Sequence, residues 1–237
     1  GLVMNPSSVL AEVIVDQLIQ IGVKEVVVAP GSRNAPITMA FFRAYQAGRV
    51  RLHSRIDERS AAFLALGISK ATNSPAVVIC TSGSAAANFH PAILEAHHSD
   101  IQLIAITADR PARLRRTGSN QTTNQVSIFG DAVNVSLDIF APVKPEVGQI
   151  AKWRSEISAA IFENGPIHLN VQFEEPLIGE LDWVEPLSSG MPEVAEQMEP
   201  MARPLESYET HGVILVGHDR AGIPISEIEL LSNKLGW

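Results

Sequence analysis

The sequence predicts a doubly wound α/β fold: a parallel six-stranded sheet covered by helices on both faces, plus the start of a second α/β domain. Three observations predict it. Strand-like and helix-like segments alternate from Pro6 to about residue 175. The strand-like segments are continuously apolar rather than alternating, the mark of strands buried on both faces. The helix-like segments carry apolar residues at a period of three to four.

Residues 6–21 begin at Pro6, with Val9, Leu10, Val13, Ile14, Leu18 and Ile21 on one stripe, and Gly22 closes this helix. EVVVAP (25–30) is a short buried strand, GSRNAP (31–36) a turn, and 37–47 a second helix. VRLHSRI (50–56) is a strand and 58–72 a helix that is apolar from Ala61 to Ile68. PAVVICT (75–81) is another buried strand, followed by SGSAAANFHPAILEAHH as loop and helix, then IQLIAITA (101–108) as a strand. DRPARLRRTGSNQTTNQ (109–125) has no periodicity and is a long loop of the kind that carries function or moves. VSLDIFAPV (135–143) is a strand, 148–163 a helix with Ile150, Trp153, Ile157 and Ile161 on one face, and GPIHLNVQF (165–173) the last strand.

Composition changes after that. Pro176, Pro186, Pro192, Pro200 and Pro204 punctuate an acidic stretch, which reads as a linker. HGVILVG (211–217) then starts a further strand, followed by a glycine turn and a helix. One βα unit cannot bury both its faces, so the expected organisation is a domain over 1–180, a linker over 181–206 and the first βα unit of a truncated second domain over 207–237.

The 237 residues are 46% hydrophobic and 19% charged, with a net charge of −8, which argues against nucleic acid as a main partner. Cys80 is the single cysteine, inside AVVIC, where a buried structural thiol is expected. The first residues lack the basic region of a secretory signal, and no stretch of 18 apolar residues spans a membrane. The expected location is cytoplasmic.

In doubly wound sheets ligands bind beyond the C-terminal ends of the strands. Pro30–Arg33, Thr81–Ser84, Asp109–Arg110, and the long loop with Asn120 and Gln121 all fall there. PGSRNAP serves either as a plain β–α turn capped by Ser32 or Asn34, or as an anion site using backbone N–H groups and the Arg33 guanidinium. TSGSAAAN has no lysine and no G-x-S-x-G, so it is neither a Walker loop nor a nucleophile elbow, and its small residues bring a helix close to the sheet. The arginines at 110, 113, 115 and 116 read as a solvated face, with Arg110 the exception.

Glu58 has two readings. It is a first-turn acid behind an Asp57 N-cap, or a carboxylate inside a site. The second rests on burial: the apolar helix behind it has no face suited to water, and Gly67 suggests another backbone packed against it. Desolvation there favours the protonated carboxyl, which suits proton transfer. Pattern leaves the two level.

APGSRNAP, IDERSAAFLALG, TSGSAAANFHPAILEA, TADRPARLRRTGSNQ and GPIHLNVQFEEPL, in that order, resemble the N-terminal, pyrimidine-binding domain of the MenD family. These are the thiamine-diphosphate-dependent 2-succinyl-5-enolpyruvyl-6-hydroxy-3-cyclohexene-1-carboxylate (SEPHCHC) synthases of menaquinone biosynthesis. The resemblance implies that Glu58 hydrogen-bonds N1′ of the aminopyrimidine and favours the tautomer whose N4′ takes the thiazolium C2 proton. The ylide then attacks 2-oxoglutarate, CO2 leaves, and the carbanion adds to isochorismate. It also implies substrate contacts by Ser32, Arg33, Arg110, Asn120 and Gln121, and cofactor contacts by Thr81, Gly83 and Gln121.

The family binds Mg2+, or Mn2+ in its place, and the diphosphate through a C-terminal G-D-G…N motif. GDAVN at 130–134 lacks the second glycine, so no metal ligand is assigned in this chain. The resemblance further implies a homodimer or homotetramer with the site shared between subunits, and a fragment inactive by itself. The competing readings are another thiamine-diphosphate decarboxylase or lyase of the acetolactate-synthase type, and a non-catalytic anion-binding module.

Overall fold

In the computed structural model, which describes residues 5–161, 164–179, 210–217 and 223–237, the chain begins with helix α1 (Pro6–Gln20). Asn5 caps it, its Oδ1 accepting from Ser8 N at 2.7 Å, while its Nδ2 donates to Pro176 O at 2.6 Å. The cap therefore also ties the start of the domain to its end. Then come β1 (Glu25–Val28), α2 (Ala35–Gln46), β2 (Arg51–Ser54), α3 (Glu58–Thr72) and β3 (Ala76–Cys80). A short helix α4 (Ser84–Ala87) and α5 (His90–Ser99) lead to β4 (Leu103–Asp109), and β5 (Val135–Phe140), α6 (Gln149–Ile161) and β6 (Ile167–Gln172) complete the sheet. Where one loop and one helix were expected after β3, the helical stretch is split at Asn88–Phe89, just ahead of Pro91.

All six strands are parallel, in the order β2-β1-β3-β4-β6-β5. Period-two alternation sends Val26, Val28, Val77, Ile79, Ile104 and Ile106 to one face, against α1, α2 and α6. Val27, Val78, Cys80, Leu103 and Ala105 go to the other, against α3 and α5. Both faces are covered, which is why these strands read as unbroken apolar runs. Cys80 is fully buried and burial pushes its thiol well up, as expected of a structural cysteine.

Polar side chains tie α6 to α1 inside one layer. Arg154 on α6 donates to Asp16 at 2.7 Å and to Gln17 at 3.0 Å. Burial pushes the Asp16 carboxyl up, but the hydrogen bonds and charges of Arg49 and Arg154 outweigh it and hold the group below its ordinary value.

Two expectations are corrected. Helix α3 spans the expected 58–72, but it is not enclosed on all sides. Ala61, Ala62, Ala65, Leu66 and Ser69 are buried, whereas Phe63 is 39% exposed and a Cβ built on Gly67 meets nothing within 4 Å. Packing on the sheet and α5 covers one stripe, and no described residue reaches the opposite one. Residues 212–217 form no strand, because no described strand pairs with them.

The chain divides into two units, residues 1–192 and 193–237. In the second, α7 (Ile225–Leu235) ends at Gly236, and Gly212 packs so closely on the Trp237 ring that a Cβ there would clash. The expected linker, 181–206, lies outside the described residues.

Candidate functional site

Strand order reverses direction between β1 and β3: β1 leads outward to β2, β3 the other way to β4. Such a switch point leaves a crevice beyond the strand ends. The turns after β1 and β3 meet there in direct contact. A Cβ added to Gly31 would lie 2.3 Å from Thr81 Cβ, so only glycine lets the two turns approach. Ala29 N donates to Ile79 O at 2.8 Å, carrying the pairing one residue past β1.

The β3 turn is joined to the long loop. Ser82 Oγ donates to Gln121 O at 2.9 Å, and Gln121 Nε2 donates to Ser82 O at 3.2 Å. Gly83 adopts φ +90°, ψ −145°, and Gln121 the left-handed φ +55°. Arg110 Nε donates to Asn120 O at 2.8 Å, so Arg110 braces the same loop. Thr81, Gly83 and Gln121 are thus brought together, as are Arg110 and Asn120.

Arg33 points elsewhere. Its guanidinium is buried and donates to Phe173 O and to Glu175 Oε1, each at 3.0 Å, beyond the end of β6. Ser32 is exposed and its carbonyl accepts from Ala35 N. Asn34 occupies the N-cap of α2 without making the expected side-chain cap. Its Nδ2 donates instead to Ala29 O at 2.9 Å, leaving Oδ1 buried with no partner among the described residues.

At Glu58, the helix-terminus reading holds for its neighbour: Asp57 Oδ2 accepts from Ser60 N at 2.7 Å. Glu58 itself is half-buried in the first turn of α3. Its carboxylate takes no hydrogen bond from the described residues, and its charge is felt at Cys80, at the end of β3. It is a rim carboxylate with acceptor capacity to spare.

The arginine cluster is solvated only in part: Arg113 and Arg116 are exposed, whereas Arg115 is half-buried. Arg113 pairs with Glu174 at 2.6 Å, and Arg115 Nη2 bridges Asp109 at 3.4 Å and Asp138 at 3.1 Å. Only Arg116 is exposed without a partner among the described residues. Behind Arg115 runs a polar network that pattern reading missed. Asp109, fully buried, accepts from Arg110 N and Asn170 Nδ2, and Asn170 Nδ2 also reaches Asp138. Thr107 Oγ1 donates to Asn170 Oδ1 at 2.8 Å, so His168 Nε2, 2.7 Å from that hydroxyl, is the donor of their bond. Burial depresses His168 to a pKa of about 4, the nearby Asp138 charge opposing this, so the ring is neutral. Gln125 was missed too: it ends a polar loop in the sequence, and nothing in its neighbours signals that it is fully buried.

Among the described residues no group of three or more His, Cys, Asp or Glu side chains is placed to hold a metal ion. No helix there is long and apolar enough to cross a membrane.

Residues 9–128, from α1 through the long loop, match the family described as thiamine pyrophosphate enzyme, N-terminal TPP binding domain. The chain belongs to this family. Its curated relatives include SEPHCHC synthases. That of Saccharopolyspora erythraea is 52% identical over 192 residues, covering 78% of this chain and 34% of the relative. That of Thermobifida fusca is 49% identical over 182 residues, 75% of this chain and 32% of the relative. That of Nocardioides sp. is 43% identical over 220 residues, 93% of this chain and 36% of the relative. The resemblance seen in the motifs is borne out by these relatives, and the chain spans about a third of their length.

Proposed function

We propose that the complete protein is a SEPHCHC synthase and that residues 1–180 form the pyrimidine-facing half of its site. The observation that carries this is the 52% identity, over 192 residues and 78% of this chain, to a relative of that name. The geometry supports it. Glu58 is an unengaged carboxylate beside the switch-point crevice, and Thr81, Gly83 and Gln121 form one joined surface there. These residues fit an aminopyrimidine, which offers a ring nitrogen to a carboxyl group and a flat face to a turn. Thiamine diphosphate, when bound, supplies the carbanion chemistry that 2-oxoglutarate decarboxylation needs.

In this reading Glu58 holds or releases a proton toward the pyrimidine ring. Arg110 and Asn120 address isochorismate or 2-oxoglutarate, with Gln121 serving both substrate and cofactor. Arg33, with Ser32 beside it, receives a substrate carboxylate in exchange for Glu175, whose side chain is 69% exposed and free to swing away. Mg2+ or Mn2+ and the diphosphate are held by other parts of the complete protein, which works in the cytoplasm as a homodimer or homotetramer. Residues 181–206 are a linker and 207–237 open a central domain, so the 237-residue chain alone has no synthase activity.

The test is turnover by the complete protein supplied with thiamine diphosphate, Mg2+, 2-oxoglutarate and isochorismate. SEPHCHC should form, and Glu58→Gln should lower kcat by roughly 10²–10⁴-fold, the range of a lost proton-transfer group. Normal turnover by Glu58→Gln sinks the proton role. Failure to form SEPHCHC, with consumption of pyruvate when pyruvate replaces 2-oxoglutarate in the assay, favours an acetolactate-synthase-type enzyme.

A further inference from the structure

Gly83 has no side chain by which the fold could hold it, yet its φ of +90° and ψ of −145° define the turn facing Gln121. Its N–H is the handle. Gln125, fully buried, accepts from Gly83 N through Oε1 at 2.8 Å and donates through Nε2 to Ala108 O at 3.1 Å and Asn170 Oδ1 at 3.0 Å. The amide can sit only one way round. Gly83 N is a donor and both other partners are acceptors, so a flipped carboxamide would face three like groups. Those acceptors are themselves fixed. Ala108 is sheet backbone, and Asn170 is held by Thr107, Asp109 and Asp138.

We infer that Gln125 is a positioning residue, transmitting the register of β4 and β6 to the pyrimidine-facing pair Gly83 and Gln121. The pair moves as one. A Cβ on Gly83 would come within 3.3 Å of Gln121 O, and Ser82 Oγ grips that same oxygen at 2.9 Å. Without Gln125 the turn keeps its contact with Gln121 but loses its tie to the sheet. This rests on the reading of the complete protein as a thiamine-diphosphate enzyme.

Gln125→Glu tests it with an isosteric side chain. A protonated carboxyl accepts from Gly83 N and donates to one of the two acceptors, whereas an ionised one repels both. Asp109 and Asp138 reach the site through Asn170, with Arg115 bridging both and offsetting part of their charge, and His168 reaches it through Thr107; full burial at position 125 favours the introduced group's protonated form. Thiamine diphosphate affinity of the complete protein is measured by calorimetry at pH 8 and pH 6, with near-ultraviolet circular dichroism of the bound aminopyrimidine alongside. Gln125→Glu should bind at least tenfold more weakly at pH 8 and recover severalfold at pH 6 relative to the parent. Gln125→Leu should bind weakly at both, and both variants should change the dichroic signature. Affinity within twofold of the parent at both pH values, even with lowered thermal stability, overturns the inference and leaves only a structural role. If the variants do not fold, hydrogen exchange in the unmodified protein decides: protection of the Gly83 amide supports the clamp, and exchange at the rate of an open loop overturns it. A parent that binds no thiamine diphosphate sinks the functional reading and this inference together. A parent that binds, beside unaffected variants, sinks this inference alone.

Discussion

Gly31→Ala tests the close approach that builds the switch-point crevice. The new Cβ would stand 2.3 Å from Thr81 Cβ, 2.7 Å from Cγ2 and 2.9 Å from Oγ1. Carbon atoms in contact sit about 3.5–4.0 Å apart, so the two turns must separate by roughly 1.2 Å or more. No rotamer change relieves this, because the nearest atom is a Cβ fixed to the backbone. The turns resist: Ala29 N is bonded to Ile79 O, and Arg33 anchors the next residues to Phe173 O. Overpacking of this kind costs typically 1–3 kcal/mol, and the backbone-to-backbone geometry places this case near the top, at about 3 kcal/mol. For a chain of this size that lowers Tm by roughly 6–12 °C. The assay is urea unfolding of Gly31→Ala alone and combined with Thr81→Gly or Thr81→Ala. Thr81→Gly removes the clashing atom and should recover most of the loss, while Thr81→Ala keeps it and should not. A loss below about 0.5 kcal/mol, or equal rescue by both second changes, refutes the reasoning.

Arg33→Met should cost about 1–3 kcal/mol by leaving the buried Phe173 carbonyl without its donor, whereas Glu175→Gln, at an exposed partner, should cost under about 1 kcal/mol. Urea midpoints compare the two, and equal losses would contradict the assignment of the energy to the backbone contact. In the complete protein Arg33→Ala should raise KM for 2-oxoglutarate or isochorismate at least tenfold, on the proposal that it receives a carboxylate; unchanged kinetics remove it from the substrate site. His168 gives a pH prediction. Its folded pKa, about 4, lies below the ordinary value of 6.5, so the unfolded chain binds the proton more readily. The stability from keeping the ring neutral is full above about pH 6.5 and is lost as pH falls toward 4. It amounts to about 3 kcal/mol at most, at roughly 1.36 kcal/mol per pKa unit. The urea midpoint measured from pH 7.5 to pH 4 should drop through this window and drop less in His168→Gln; equal slopes would show that another group carries the dependence.

Much of the fold was legible because its rules are local. The unbroken apolar runs at 26–28, 77–80 and 103–108 could be satisfied only by a sheet covered on both faces, and Asp57 before α3 announced a cap that the structure shows. Residues 211–217 carry the same apolar composition and form no strand, since a strand also needs a neighbour's hydrogen bonds. The apolar length of α3 suggested enclosure, yet composition does not say whether anything packs on the second stripe. The ion pairs of Arg115 and Arg113 were not legible because their partners, Asp138 and Glu174, lie 23 and 61 residues further along.

The sequence by itself determined the alternation of elements, the buried strands and the rim segments at 30–33, 58, 81–84 and 109–125, because periodicity, caps and turns depend on near neighbours. Only the tertiary structure decided which rim residues meet. Gly31 touches Thr81, Gln125 reaches Gly83 and Asn170, and Arg33 turns to Phe173 across a separation of 140 residues. Those contacts follow from strand order and from the need to pair every buried donor and acceptor, and neither is written in the spacing of residues along the chain.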